Sequence, residues 1–195
     1  MPLGVAVGHG ARRSPAASKT IDVKVRRYRP SDRGAVIGLF RESMWDLAPP
    51  TLAADFQSYI ERAIQEELGK VEEYYFGREG QGFWVTQEGE RPDRVLGMVG
   101  LERHADDAGE LRRMAVEKAH RRKGIGRELL ATAEAFCRDC GYRRVVLSTS
   151  ELQVAAMRLY ESSGYRRVRE EAAAPASHKS VGAGLTRYHY EKPLA

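Results

Sequence analysis

The stretch HRRKGIGREL, His120 to Leu129, sets four cations, Arg121, Arg122, Lys123 and Arg127, and two glycines directly ahead of a helix-like segment. The chemistry such a stretch offers is anion binding. The first turn of a helix carries unpaired N–H groups and the positive end of the dipole. Gly124 and Gly126 permit a tight bend and let a ligand approach the main chain with no Cβ in the way. A diphosphate would take several charge-assisted bonds from such a loop. A dinucleotide-binding loop wants a third glycine, where Leu129 stands, and a triphosphate loop wants Gly-Lys-Ser or Gly-Lys-Thr, which is absent. A basic nucleic-acid patch and a solvated loop with incidental charge stay open on these residues alone.

The other reactive side chains form no rival centre. Cys137 and Cys140 make a CxxC late in a helical segment, with no second pair. A redox pair would open a helix, and a zinc site needs more ligands at matching spacing. They read as two core cysteines on one helix face. The five histidines are scattered, so no metal is expected.

The elements around the loop follow from periodicity and punctuation. DVKVRRY, Asp22 to Tyr28, alternates as a strand. Pro30 and Ser31 open a helix with Ser31 as its expected N-cap, and LAPP stops it. Thr51 is placed to cap a second helix, where Leu52, Phe56, Tyr59, Ile60, Ala63, Ile64 and Leu68 recur at helical spacing. EEYYFGREGQG reads as a loop. FWVT and VLGMVGL form a hairpin across EGERPD, and GELRRMAV follows as a strand. Behind the glycine loop, Leu129, Leu130, Ala133, Phe136, Cys137 and Cys140 share a helix face, which Gly141 ends. RRVVLSTS is a buried strand and LQVAAMRLYESSGY a short helix ended by Gly164. RRVREE and LTRYHYEKPL pair as terminal strands across a loose Ala-rich connection. This alternation predicts an α/β (α+β) domain, a mixed sheet with helices on its faces.

Composition bounds the class. The 195 residues, 42% hydrophobic and 30% charged, suit one domain with a real core. A net charge of +5 favours anionic ligands without demanding nucleic acid. No apolar run is long enough to span a bilayer. Residues 1–21 hold no acidic residue and no apolar core of a secretory signal, so a disordered basic tail is expected, with organelle import the alternative. Residues 22–195 would be the folded domain. Two cysteines rule out a disulfide framework and point to a reducing, cytoplasmic setting.

ELRRMAVEKAHRRKGIGRELL resembles the signature segment of the GNAT acetyltransferase superfamily: Arg or Gln, two residues, Gly, one residue, then Gly or Ala. Arg121, Gly124 and Gly126 fit that pattern. AAMRLYESSGYRRV resembles its second signature, with Tyr160, Gly164 and Tyr165 in place. LRRMAV, LSTSELQ and the FWV strand look most like the camello-type N-acetyltransferases. The resemblance spans Val23 to Leu194 and is strongest from Glu110 to Val168. It implies the GNAT fold, a mostly antiparallel sheet of about six to seven strands.

The resemblance also implies acetyl-CoA as co-substrate and a primary amine as acceptor. The main chain of Met114, Ala115 and Val116 would pair with the pantetheine arm. Arg121, Arg122, Lys123, Gly124, Ile125, Gly126 and Arg127 would bind the pyrophosphate. Gln153 stands where the second motif usually carries Asn, and its amide can make the same kind of contact. Tyr160 is the expected proton donor to the leaving thiolate. Glu110 is the expected base, acting directly or through water, with Glu102 and His104 as further candidates. The need for a base depends on the acceptor. At pH 7, freeing a lysine amine costs about 4 to 5 kcal/mol, but an α-amine only about 1 to 1.5 kcal/mol. The second helix and EEYYFGREGQG would shape the acceptor pocket, where Glu66, Glu67, Glu72 and Glu73 would suit a cationic amine. Vertebrate camello-type enzymes carry an apolar membrane insertion after the first helix, where this chain has a polar helix; no membrane span is implied. A monomer or homodimer without a nucleic-acid partner is expected, the alternative function being a non-catalytic acyl-CoA-binding regulatory module.

Overall fold

The computed structural model describes residues 23–89 and 91–194. The expected basic tail, residues 1–21, lies outside the described residues. The chain runs β1 (Val23–Arg27), α1 (Arg33–Trp45), α2 (Ala53–Glu66), β2 (Gly82–Glu88), β3 (Arg91–Ala105), β4 (Ala108–Val116), α3 (Ile125–Asp139), β5 (Arg144–Ser150), α4 (Val154–Ser162), β6 (Arg166–Ala172) and β7 (Thr186–Pro193). These strands form one sheet in the order β1-β2-β3-β4-β5-β7-β6. Only the central β4–β5 pair is parallel; every other neighbour is antiparallel. The expected mixed, mostly antiparallel sheet with helices on its faces is what forms.

Each face has its own apolar cluster. On one, α1 and α2 place Leu39, Phe40, Phe56, Ile60 and Ala63 against Phe83, Val85 and Met98. On the other, α3 places Ile125, Leu129, Leu130, Ala133 and Cys137 against Val99, Leu101, Val145 and Leu147. Burial of apolar side chains at about 25 cal/mol per Å2 drives this layering.

Several local expectations need correction. A 3₁₀ turn, Pro30–Asp32, precedes α1, and Ser31 is not its cap. Arg29 precedes that turn instead, and Asp32 at its end reaches back, its Oδ2 accepting from the Arg29 N–H at 2.8 Å, while Arg26 pairs with it. Thr51 likewise sits inside a 3₁₀ turn, Pro50–Leu52, ahead of α2. The first half of EEYYFGREGQG is not loop: Glu72–Phe76 winds as a π-helix. Its winding seats the fully buried Tyr75 in the core, where its hydroxyl donates to Glu67. Cys140 is exposed, so only Cys137 is core.

Two features of β4 prepare a cleft. Its pairing with β5 runs only from Ala108↔Arg144 to Leu111↔Leu147. Beyond that point the parallel strands part, and the edge of β4 from Arg112 to Val116 has no strand beside it on the β5 side. On the β3 side, Met98 pairs with Ala115 and Gly100 with Arg112, so Arg113 and Met114 together oppose Val99. This bulge forces Arg113 to φ +53°, a left-handed conformation that costs a non-glycine residue about 1 to 2 kcal/mol.

Candidate active site

Where β4 and β5 part, a cavity of ≈ 130 Å³ opens. Its wall takes Met114 and Ala115 from β4, Ser148 to Ser150 from β5, and Gln153 and Tyr160 from α4. Phe40, Met44, Phe56 and Tyr59 close it from α1 and α2, and the β6–β7 connection covers it with Lys179, Ser180 and Val181. The sequence predicted α2 in that wall. It did not predict the cover, which reads as loose Ala-rich chain.

The glycine loop enters α3 as its motif requires. Gly124 precedes the helix at φ +89°, and a Cβ built there meets nothing within 4 Å. Its glycine serves the backbone conformation rather than lack of space. Gly126 answers a different need: a Cβ there would lie 2.8 Å from Leu159 Cδ2, so the glycine lets α4 pack onto the start of α3. Arg122 is also left-handed, at φ +64°. Left-handed residues in a turn can gather neighbouring amides into an anion-binding nest. The N–H groups of Arg122, Lys123, Gly124, Ile125 and Gly126 find no acceptor among the described residues. No side chain caps the helix.

The loop's cations divide. Arg122, Lys123 and Arg127 are exposed around the open amides. Arg121 turns back instead. Its Nε donates to the Val116 carbonyl at 3.1 Å and its Nη2 to Asp46 at 3.1 Å, tying the end of β4 to α1.

Tyr160 is buried between the rings of Tyr165 and Tyr190, with centroids 5.9 and 6.1 Å away. Its hydroxyl has no hydrogen-bond partner among the described residues, and burial raises its pKa, so it stays protonated. Gln153 is half used. Its Oε1 accepts from Thr149 Oγ1 at 2.8 Å and from the Ser150 N–H at 3.2 Å. Because a backbone N–H can only donate, the amide orientation is fixed, and the Nε2 donors are left for the cavity.

The acid candidates lie elsewhere. Glu110 faces Glu102 across the β3–β4 pair, with His104 Nδ1 3.7 Å from its Oε2, and it is not in the cavity wall. Glu102 is buried and accepts from Tyr74 Oη at 3.1 Å and Lys179 Nζ at 2.6 Å. His104 is half exposed. Glu67 is sealed into the core. Both its oxygens accept from Arg113, at 2.9 Å from Nε and in a second bond from Nη2. Burial pushes its pKa up, but Arg113 and Arg112 outweigh that and leave it below the usual carboxylate range. Glu66 pairs with His178 and Glu72 with Arg33. None of the four glutamates expected to draw a cationic amine lines the cavity.

Sequence reasoning missed Arg112 and Arg113. The Arg-Arg pair inside a strand of apolar residues was the available signal, since strict alternation must turn one of them inward. The bulge turns both toward α2.

Residues 41–165 match the description of the acetyltransferase (GNAT) family. The chain belongs to that family. Among relatives, "Probable N-acetyltransferase camello" of Xenopus tropicalis is 30% identical over 141 residues, 71% of this chain and 63% of that one. N-acetylaspartate synthetase of Danio rerio is 38% identical over 114 residues, 58% of this chain and 39% of that one. The chain thus spans under two thirds of both. An acetyltransferase of Salmonella typhimurium, solved with acetyl-CoA, superposes with a TM-score of 0.67 at 20% identity, covering 89% of this chain and 94% of its own. The family and camello-type resemblance read from the two motifs are therefore met, and the fold is that of the acetyltransferases. No described helix is long and apolar enough to cross a membrane.

Proposed function

We propose that this acetyltransferase uses acetyl-CoA to acetylate a primary amine by direct transfer. The observation that carries the reading is the row of partnerless amides from Arg122 to Gly126 beside the parting strands. Those amides suit a diphosphate, with Arg122, Lys123 and Arg127 as surrounding charge and Arg121 as the tie that fixes the loop. The free edge of β4 at Met114, Ala115 and Val116 suits the amide groups of a pantetheine arm, and the Gln153 Nε2 donors point to the same channel. Co-substrate and acceptor then meet at Tyr160.

In this reading the amine first loses its ammonium proton to water. Its nitrogen attacks the thioester carbonyl carbon, the C–N bond forms and the C–S bond breaks. The surplus nitrogen proton leaves through water, with Glu110 as relay outside the cavity wall. The thiolate takes a proton from Tyr160, which solvent restores. Two free cysteines fit a reducing compartment, the cytoplasm.

Gly124→Glu tests the loop. It adds a carboxylate next to the diphosphate, a like-charge contact that costs about 2 to 3 kcal/mol in the complex, while the left-handed backbone costs the fold about 1 to 2 kcal/mol with or without coenzyme. The acetyl-CoA Kd should rise on the order of 100-fold by calorimetry. An unchanged Kd would remove the loop from the coenzyme site.

A further inference from the structure

The cavity wall carries four cations, Arg112, Arg113, Lys179 and Arg187, and no carboxylate. Two carboxylates stand behind the wall and neutralise part of this. Glu67 takes Arg113, which also donates to Tyr59 Oη at 2.6 Å and the His178 carbonyl at 2.5 Å, so Arg113 is spent on structure. Glu102 takes Lys179. Arg187 lies opposite Glu171, but that carboxylate is already held by His189 and Arg169. Arg112 is different. Its side chain is only 8% exposed, yet its approaches to Glu67 and Glu102 are both 3.6 Å, and it makes no hydrogen bond among the described residues. A guanidinium has five donors in a planar fork, and burying them without close acceptors is costly. A carboxylate accepts such a fork with two parallel bonds.

Resting on the acetyltransferase reading above, we infer that the acceptor is an amine that also carries a carboxylate, an α-amino acid, whose carboxylate sits on the buried Arg112 while its amine faces Tyr160. Lys179 from the β6–β7 connection and Arg187 from the start of β7 complete the anion subsite. The same positive wall disfavours an ammonium beside it, and an α-amine gives up its proton more readily than a lysine side chain. A polyamine or a lysine-rich peptide would instead meet like charge.

The experiment uses paired acceptors that differ only by the carboxylate: alanine with ethylamine, phenylalanine with phenethylamine. CoA release should favour each amino acid on the order of 30- to 100-fold in kcat/KM. Amines without the carboxylate reacting equally well, or spermidine outrunning every amino acid, overturns the inference. Arg112→Gln should raise the amino-acid KM and leave the acetyl-CoA Kd unchanged. If that buried variant does not fold, Arg187→Gln should raise the same KM less, again without touching the coenzyme. If acetyl-CoA binds but no amine reacts, the transfer reading fails while the subsite is still tested. Calorimetry on CoA-loaded protein should then show heat for alanine or phenylalanine and none for their carboxylate-free partners; equal or absent heats overturn the subsite.

Discussion

The two ends of the cleft are built in opposite ways. At the loop end, a single run of sequence from Met114 to Arg127 supplies the open strand edge, the turn and the free amides. At the other end, α2, the bulge of β4 and the β6–β7 connection each supply part of one ionic cluster, with Glu67 paired to Arg113 across 46 positions and Glu102 to Lys179 across 77. The loop end works by leaving backbone groups unused, so it needs little side-chain support. The far end works by side chains, and the two carboxylates behind the wall balance only part of the charge it displays. Substitutions should therefore separate the two: changes at the loop end should cost binding first, and changes behind the far wall should cost stability first.

The largest effect belongs to Glu67→Ala. It leaves Arg113 buried without its bidentate partner and Arg112 without one of two carboxylates. Breaking a buried pair in this way costs about 3 to 5 kcal/mol, read as a large loss in urea midpoint. Acid should show the same linkage. The folded-state pKa of Glu67 lies below its unfolded value, so its contribution is full at neutral pH and disappears as pH falls through and below the carboxylate range. The variant's acid unfolding should accordingly be shallower. A variant as stable as the parent would mean that the far end is no more integrated than the loop, and the contrast would collapse.

This contrast also explains what the sequence disclosed. Gly124, Gly126 and Tyr160 belong to short patterns whose spacing is set by local geometry: a left-handed turn, a close helix contact, and one face of α4. Such constraints leave a mark within about ten residues of chain. Arg112 and Arg113 carry no such mark, because their direction depends on a bulge against β3 that alternation does not encode. Lys179 lies in a stretch of alanines and glycines whose place over the cleft is fixed by the pairing of β5, β6 and β7. The π-helical turn at Glu72–Phe76 is equally non-local, since it exists to bring Tyr75 onto Glu67. Acidic residues near the predicted pocket suggested a cationic acceptor. The fold spends Glu66, Glu67 and Glu72 on histidine and arginine partners and turns the opposite charge toward the cavity.

Tyr160→Phe sharpens the comparison at the point where the two ends meet. The hydroxyl has no protein partner to lose among the described residues, so removing it should leave the urea midpoint and the acetyl-CoA Kd near those of the parent. Turnover should fall about 10- to 100-fold, at or below the lower end of the range for a positioned acid, because a thiolate is a good leaving group. A fall in stability with unchanged turnover would make Tyr160 a packing residue between Tyr165 and Tyr190.

Glu110→Gln carries the smallest expected effect and the sharpest discrimination. Glu110 lies on the same face of β4 as Arg112, two residues nearer the paired end, beside His104 and outside the cavity wall. A carboxylate so placed can pass a proton only through intervening water. The ammonium of a free α-amino acid gives its proton to bulk water before the attack, so a relay serves only the surplus proton that leaves afterwards. The variant should thus lose about two- to five-fold in kcat at pH 7, and the loss should shrink as pH rises toward the pKa of the free amine. A loss near 100-fold at pH 7 that persists at high pH would make Glu110 an immediate base. The far end of the cleft would then have to rearrange on binding to admit it, and the rigid wall argued from Glu67 and Arg113 would not describe the working enzyme.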